Sequence, residues 1–186
     1  MKSKYFSINE KGRSVRCKIY FQDVHTIQKV ILFGHGFGGH KDNKACEKFA
    51  QRFISRYKNS AVLAFDWPAH GEDATNKLRL DDCREYIDIV IEYVRNRYNP
   101  SVISVYATSF GAYLYLKYIS ENGNPFAKLA FRAPAVNMYE SIVENILSDN
   151  ELEKLRKGKE VEAGFDRKVA IGSSFLEELR QADITQ

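Results

Sequence analysis

Ser109 is the side chain of this sequence whose surroundings best suit chemistry. It stands between Val102–Ala107, an apolar run rich in β-branched residues that predicts a buried strand, and a helix-like run that begins at Phe110. Almost no residues remain for a turn, so the turn must strain the backbone at Ser109 and hold its hydroxyl clear of the sheet. Small neighbours such as Gly111 allow the strand and the helix to approach each other closely. Such a hydroxyl could attack an acyl group. The motif leaves a second interpretation open, in which Ser109 is buried and caps the following helix.

A glycine-rich loop, Gly34–Gly39, follows the short buried strand predicted over Lys29–Phe33. Its sequence GHGFGG fits the dinucleotide fingerprint G-x-G-x-x-G, with Asp66 as the acidic residue after the next strand, although a preceding hairpin and the histidine between the glycines are unusual there. The other interpretation is an oxyanion hole, whose backbone N–H groups stabilise the charge that acyl transfer builds on a carbonyl oxygen. Because this loop and Ser109 both follow predicted parallel strands, where ligands bind, we favour the oxyanion hole.

The order of the predicted elements indicates an α/β protein with a mostly parallel, doubly wound sheet. Two alternating segments, Lys4–Ile8 and Ser14–Phe21, predict an antiparallel hairpin at the N-terminus. Strands and helices then alternate as far as Pro134. The further strands are predicted over Lys29–Phe33, Ser60–Phe65, Val102–Ala107 and Lys128–Phe131, and the helices over Asn43–Tyr57, Leu80–Tyr98 and Phe110–Asn122.

The chain therefore divides into a core over residues 1–135 and a lid over residues 136–186, placed over the carboxyl ends of the strands. Val136–Leu155 predicts one or two helices, Val161–Ile171 a small hairpin, and Ser173–Ala182 a final helix capped by serine. Four apolar side chains of the lid could line an acyl pocket, although packing on the sheet is the better explanation for each: Phe165, Phe175, Leu176 and Leu179.

The composition is ordinary for a globular domain. A formal charge of +4 is spread along the 186 residues, so we expect no nucleic-acid partner. Three cysteines lie far apart without metal-ligand spacing and predict reduced thiols and a cytoplasmic location. No metal or organic cofactor is implied. Neither a signal peptide nor a run of membrane-spanning length is recognisable, so we expect no membrane partner.

Three motifs together resemble the α/β-hydrolase superfamily, in particular small bacterial serine esterases of a cinnamoyl/feruloyl-esterase-like group related to prolyl-oligopeptidase hydrolase domains. The motifs are HGFGG at His35–Gly39, DWPAHG at Asp66–Gly71 and ATSFG at Ala107–Gly111, and the match covers residues 5–135. The resemblance implies an esterase that attacks a small-molecule ester with Ser109 and passes through an acyl-enzyme. It also implies that the backbone N–H groups of Phe37 and Phe110 form the oxyanion hole.

The resemblance gives supporting, non-chemical roles to further residues of the motifs: His35, Gly36, Gly38, Gly111, Asp66 and His70. Asp66 and His70 are expected to organise the loop beneath the site, and His35 to tie its own loop together by hydrogen bonds. The family's turn D-x-x-G-H-G-x-S is changed here, with Ala69 in place of glycine and Asp73 near the position of the serine.

A triad Asp and His are not found after the nucleophile. The order in this superfamily is Ser, then Asp or Glu, then His, whereas all four histidines of this sequence precede Ser109. We therefore expect a fold truncated after its sixth strand and lid, with little activity of its own. Its last strand, Lys128–Phe131, should expose an apolar edge that a homodimer or a partner chain would cover.

Four hypotheses follow. The chain is a truncated serine esterase, or it is one half of a split hydrolase that a second polypeptide completes with the triad Asp and His. Alternatively it is a non-catalytic module that holds an ester or a carboxylate in the same pocket. The fourth hypothesis, a dinucleotide-binding domain, is disfavoured by the features of the glycine-rich loop described above.

Overall fold

The structure is a computed structural model that describes residues 1–73, 77–164 and 167–182, and it is built around a six-stranded sheet. The strand order is β1-β2-β4-β3-β5-β6. The strands are β1 (Lys2–Glu10), β2 (Arg13–Phe21), β3 (Lys29–Gly34), β4 (Ser60–Phe65), β5 (Val102–Thr108) and β6 (Leu129–Arg132). The β1–β2 and β2–β4 pairs are antiparallel, and β4, β3, β5 and β6 run parallel. The predicted mostly parallel sheet with an N-terminal hairpin is confirmed.

Helices cover both faces of this sheet. They are α1 (Lys44–Arg56), α2 (Leu80–Tyr98), α3 (Phe110–Asn122), α4 (Met138–Asn145), α5 (Asp149–Arg156) and α6 (Ser173–Gln181). The α1 helix packs on one face through Cys46, Ala50 and Ile54, while α2, α3 and α6 contribute to a larger apolar cluster on the other. Every residue of β4 is buried, which is why this strand reads as an unbroken apolar run rather than an alternating one.

The segment after β6 forms α4, α5, a two-stranded antiparallel sheet of β7 (Val161–Ala163) and β8 (Val169–Ile171), and α6. The helix pair and the hairpin are confirmed. The predicted serine cap of the last helix is wrong, because Gly172 occupies the N-cap position and has no side chain that could accept a cap hydrogen bond.

Three of the four apolar side chains named as acyl-pocket candidates pack into the core, which is the explanation favoured above. Phe175 is fully buried, and its ring centroid lies 6.4 Å from that of Phe110. Leu179 is also buried, and Leu176 is partly buried against the same cluster. Phe165 lies outside the described residues.

Two glycines permit the close approach of α3 to the end of β3. A Cβ atom on Gly111 would lie 2.5 Å from the carbonyl oxygen of His35 and 2.8 Å from the carbonyl carbon of Gly34. A Cβ on Gly34 would lie 2.9 Å from the Cβ of Ala107 on β5. The neighbours of Gly111 are backbone atoms, which cannot move aside as a flexible side chain can, and Gly34 faces the Cβ of Ala107 and the ring of the buried Tyr115. The turn between β5 and α3 therefore requires these small residues.

We expect Gly111→Ala to lower the free energy of unfolding by about 1–3 kcal/mol, as overpacking does. The matched variant is Gly36→Ala, whose Cβ would make an ordinary contact of 3.5 Å and should lose no stability. Urea denaturation of both variants measures the difference. Equal stability of the two proteins would contradict the steric argument.

Candidate active site

Ser109 occupies the turn between β5 and α3 with φ 48° and ψ −118°, a conformation that side chains with a Cβ rarely adopt. Its N–H donates to the carbonyl of Arg132 at the end of β6 (3.1 Å), and its carbonyl accepts from Tyr113 N–H (3.0 Å). The side chain is exposed and makes no cap hydrogen bond. The alternative of a buried capping serine is therefore wrong.

The loop after β3 passes directly beside Ser109. A Cβ on Gly36 would lie 3.5 Å from the Cβ of Ser109, and Gly39 N–H donates to the Gly36 carbonyl (2.9 Å), which closes the loop on itself. Within the described part of the chain, the N–H groups of Phe37 and Phe110 donate to no acceptor. The Phe110 N–H is free because it belongs to the first turn of α3. Two unpaired backbone donors beside an exposed hydroxyl can receive a carbonyl or carboxylate oxygen.

His35 joins this loop to the one after β4. Its Nδ1 donates to the Gly36 carbonyl (2.9 Å), its Nε2 accepts from Trp67 N–H (3.5 Å), and its carbonyl accepts from Trp67 Nε1 (3.1 Å). Burial disfavours the imidazolium ion and lowers the pKa of His35 well below its ordinary value, with the neighbouring His70 contributing in the same direction. Both ring nitrogens of a neutral His35 are thus engaged in holding loops.

Asp66 lies beneath the same two loops and is fully buried. Its carboxylate accepts from the Lys41 N–H (2.7 Å), from Lys41 Nζ (3.1 Å) and from the Glu72 N–H (3.1 Å). Burial of Lys41 lowers the pKa of its ammonium group, but the interactions with Asp66, Glu72 and Asp42 together outweigh this effect and raise the pKa. Gly71 leaves the room that this carboxylate fills, since a Cβ there would lie 2.3 Å from Asp66 Cγ.

Sequence reasoning missed Lys41. Lysine is almost never fully buried unless it is paired, and the buried partner of Lys41, Asp66, comes from a different loop. A pairing between loops leaves no local pattern in the sequence, so no signal could have identified this residue.

His70 is buried between the rings of Phe37 and Phe110. Its ring stacks on Phe110 (5.9 Å between centroids) and meets Phe37 edge to face (5.6 Å), and these two rings also touch (5.6 Å). His70 Nδ1 donates to the Pro68 carbonyl (2.8 Å), whereas the buried Nε2 has no partner among the described residues. Burial lowers the pKa of His70 to about 4, against the opposing effect of the Pro68 carbonyl. The ring therefore stays neutral and packs like an aromatic core residue.

The turn that holds His70 also contains a strained residue. Ala69 has φ 61°, in the left-handed region that favours glycine. Alanine has a Cβ that this conformation disfavours, so the turn stores backbone strain at Ala69.

Other side chains with potential chemistry lie away from this site. The three cysteines are free and buried, and burial raises the pKa of Cys46 to about 12. Among the described residues, no cluster of His, Cys, Asp and Glu side chains has the geometry to hold a metal ion. Within the same residues, no helix combines the length and the apolar character needed to cross a membrane.

The sheet order, the strained serine and the neighbouring glycine loop define an α/β hydrolase. The family model of the Hydrolase_4 family, described as serine aminopeptidase S33, matches residues 25–165, more than half of the chain. This protein belongs to that family. No curated protein matches the sequence.

Solved structures share the fold at low sequence identity. A putative hydrolase from Agrobacterium vitis S4 is 14% identical, with a TM-score of 0.68 over 97% of this chain and 72% of that one. Est1E from Butyrivibrio proteoclasticus, solved with ferulic acid bound, is 14% identical, with a TM-score of 0.75 over 96% of this chain and 72% of that one. The esterase Pf2001 from Pyrococcus furiosus is 17% identical, with a TM-score of 0.64 over 82% of this chain and 59% of that one.

The strain at Ser109 predicts an unusual order of stability among two variants. Ser109→Ala keeps the Cβ and should change the free energy of unfolding by less than about 0.5 kcal/mol, because the hydroxyl is exposed and unbonded. Ser109→Gly relieves about 1–3 kcal/mol of strain, offset by about 0.5–1 kcal/mol of glycine entropy, and should be more stable by about 1 kcal/mol. Urea denaturation measures both. A glycine variant less stable than the alanine variant would contradict the strained geometry.

The lowered pKa of His70 predicts a loss of stability in mild acid. Between pH 6.5 and about 4, the unfolded state binds a proton at this histidine that the folded state excludes. The free energy of unfolding should therefore fall with decreasing pH in this window, by at most about 1.4 kcal/mol per pH unit for each such histidine. His70→Asn keeps a donor for the Pro68 carbonyl and should make the free energy of unfolding depend less steeply on pH. The control is His25→Asn, which changes an exposed residue and should leave this dependence as it is. An unchanged slope in His70→Asn would refute the assignment.

Proposed function

We propose that this protein is a serine hydrolase that cleaves carboxylic esters through an acyl-enzyme on Ser109. The observation that carries the proposal is a strained, exposed Ser109 with Gly36 of the neighbouring loop against it. Among the described residues, the N–H groups of Phe37 and Phe110 beside it donate to no acceptor. Membership in the Hydrolase_4 family supports a hydrolytic reaction. The similar folds of Est1E, which holds ferulic acid, and of the Pyrococcus esterase support an ester as the substrate class.

The reaction follows from this arrangement. The Ser109 Oγ attacks the ester carbonyl carbon while its proton passes to a general base, and the N–H groups of Phe37 and Phe110 stabilise the oxyanion. The bond to the alcohol oxygen breaks, the alcohol leaves with the proton, and the acyl group stays on Ser109. Water then attacks the acyl-enzyme by the same route and releases the acid.

We place the general base outside residues 1–186. All four histidines precede Ser109. His35 and His70 are buried and hold the loops together. The Nδ1 of His40 accepts from the Asp42 N–H (3.2 Å), and His25 is exposed on a short turn after β2. Without a base, a serine hydroxyl is a weak nucleophile at neutral pH. These residues alone should therefore retain only the acceleration that binding and the oxyanion hole provide, about 10³–10⁴-fold over water.

A second candidate function is the binding of a carboxylate or ester without turnover. The two N–H groups favour it, since they need no base to hold an oxygen atom. The chain would then be a binding module, or the half of a split hydrolase whose other half carries the base.

The test is the hydrolysis of p-nitrophenyl acetate by residues 1–186 beside Ser109→Ala, with mass spectrometry of the acetylated serine. We expect slow, serine-dependent release and acetylation of Ser109, far below the 1–10³ s⁻¹ that is typical of enzymes. Turnover at an enzyme-like rate would show that a base lies within these residues, and our placement of the base would be wrong.

Identical rates for the two proteins would contradict Ser109 as the nucleophile of this chain. In that case, titration with benzoate distinguishes the binding candidate. Shifts of the Phe37 and Phe110 amide resonances that persist in Ser109→Ala would support it, and unshifted resonances would exclude it.

A further inference from the structure

The α6 helix supplies a cap for another helix. The N-cap residue of α2, Arg79, makes no side-chain cap hydrogen bond. Instead, one carboxylate oxygen of Glu178 in α6 accepts from the N–H of Leu80, the first residue of α2 (2.8 Å), and the other oxygen lies 3.4 Å from Arg79 Nε. This carboxylate takes the place of a local cap and faces the partial positive charge of the helix N-terminus. Glu178 therefore ties α6 to the start of α2.

The same helix contacts the first turn of α3 at two points. Phe175 is fully buried and meets the ring of Phe110 edge to face, with 6.4 Å between the centroids. Tyr113, three residues further along α3, donates its hydroxyl to the carbonyl of Ala182 at the end of α6 (3.2 Å). Phe175 and Glu178 are three positions apart and so are neighbours on the helix surface. One side of α6 thus contacts both α2 and the first turn of α3.

Aromatic rings from three elements enclose the ring of Phe110. His70 stacks on it from the loop after β4, Phe37 meets it edge to face from the loop after β3, and Phe175 meets it from α6. The N–H of Phe110 is one of the two donors to the oxyanion in the proposed hydrolysis, and its direction follows the first turn of α3. A displacement of α6 would remove one wall of this enclosure and let that turn shift.

We propose that Glu178 is a positioning residue for the oxyanion hole. Its carboxylate fixes where α6 lies against α2, and Phe175 of α6 then holds Phe110 so that the N–H of that residue keeps its direction. Glu178 acts through these two residues and is not itself catalytic. Its role rests on the proposed function, because the direction of the Phe110 N–H affects the reaction only if this group binds the oxyanion.

The test begins with Glu178→Ala, which removes the acceptor for Leu80 N–H and leaves Phe175 in place. The saturating rate of Ser109 acetylation by p-nitrophenyl acetate should fall about threefold to tenfold, less than the about 10²-fold that a misplacement of about 1 Å can cost. Half-saturation should occur at the same concentration, since an oxyanion hole acts in the transition state. The amide resonance of Phe110 should shift.

Two matched variants separate the hydrogen bond from charge. Glu178→Gln keeps an oxygen that accepts from Leu80 N–H and should stay within about twofold of the unchanged rate, because the ion pair with Arg79 that it loses is largely exposed. Glu177→Ala removes the same charge from the next position of α6, where the exposed carboxylate accepts from Gln181, and should change neither the rate nor the Phe110 resonance.

A further variant, Phe175→Leu, tests the second step directly and does not depend on how Glu178→Ala folds. It removes the ring that meets Phe110 and should reproduce both effects. In the double variant the losses in rate should be less than additive, because both changes act through the same contact. All rates are measured well below the thermal midpoint of each variant, so that a loss of stability alone does not lower them.

Three results would overturn the proposal. The first is an unchanged rate and an unmoved Phe110 resonance in Glu178→Ala. The second is an equal loss in Glu177→Ala. The third is full additivity of Glu178→Ala and Phe175→Leu. Absence of serine-dependent acetylation in the unchanged protein would refute the proposed hydrolysis and with it the role of Glu178 in the reaction, whereas an unmoved Phe110 resonance refutes the positioning alone.

Discussion

The backbone contact between the first turn of α3 and the end of β3 is the constraint on which the site depends. Gly111 packs directly on the carbonyl group of Gly34, so the chain must leave β5 and enter α3 with no intervening loop. That turn is possible only with a positive φ at Ser109, which the hydrogen bond from its N–H to Arg132 helps to hold. The strain, about 1–3 kcal/mol, is offset by burial of α3, whose side chains Tyr113 and Tyr115 are almost fully buried.

The loops around the serine are held by buried polar contacts rather than by apolar packing alone. Asp66 and Lys41 form a buried ion pair, and such pairs gain little net stability because both charges must leave water. Here the carboxylate also accepts two backbone N–H groups, from Lys41 and Glu72, which come from different loops. The pair therefore fixes where the loops lie relative to each other, and His35 and Trp67 repeat this connection nearer the site.

The sequence predicts the regular elements well where a single strong pattern governs them. The predicted bounds of β4 and α2 match the structure because β4 is buried on both faces and α2 ends at Asn99, which adopts the left-handed conformation before Pro100. The serine cap predicted for α6 is wrong because backbone dihedrals, and not the presence of serine, decide which residue is the N-cap. The site motifs are recognisable in the sequence, but the role of Lys41 is not, since its buried partner Asp66 is distant in the sequence.

The conformation of Ser109 also helps to decide whether this serine has a structural or a functional role. A serine kept for structure at the start of a helix would accept a hydrogen bond from the first turn and gain about 1 kcal/mol. Ser109 makes no such bond, lies exposed, and keeps a costly dihedral that glycine would adopt freely. Packing alone would favour glycine at this position, so packing does not account for the serine. Among the described residues, this strained hydroxyl lies beside two unpaired N–H groups, and the proposed acyl transfer or carbonyl binding rests on that arrangement.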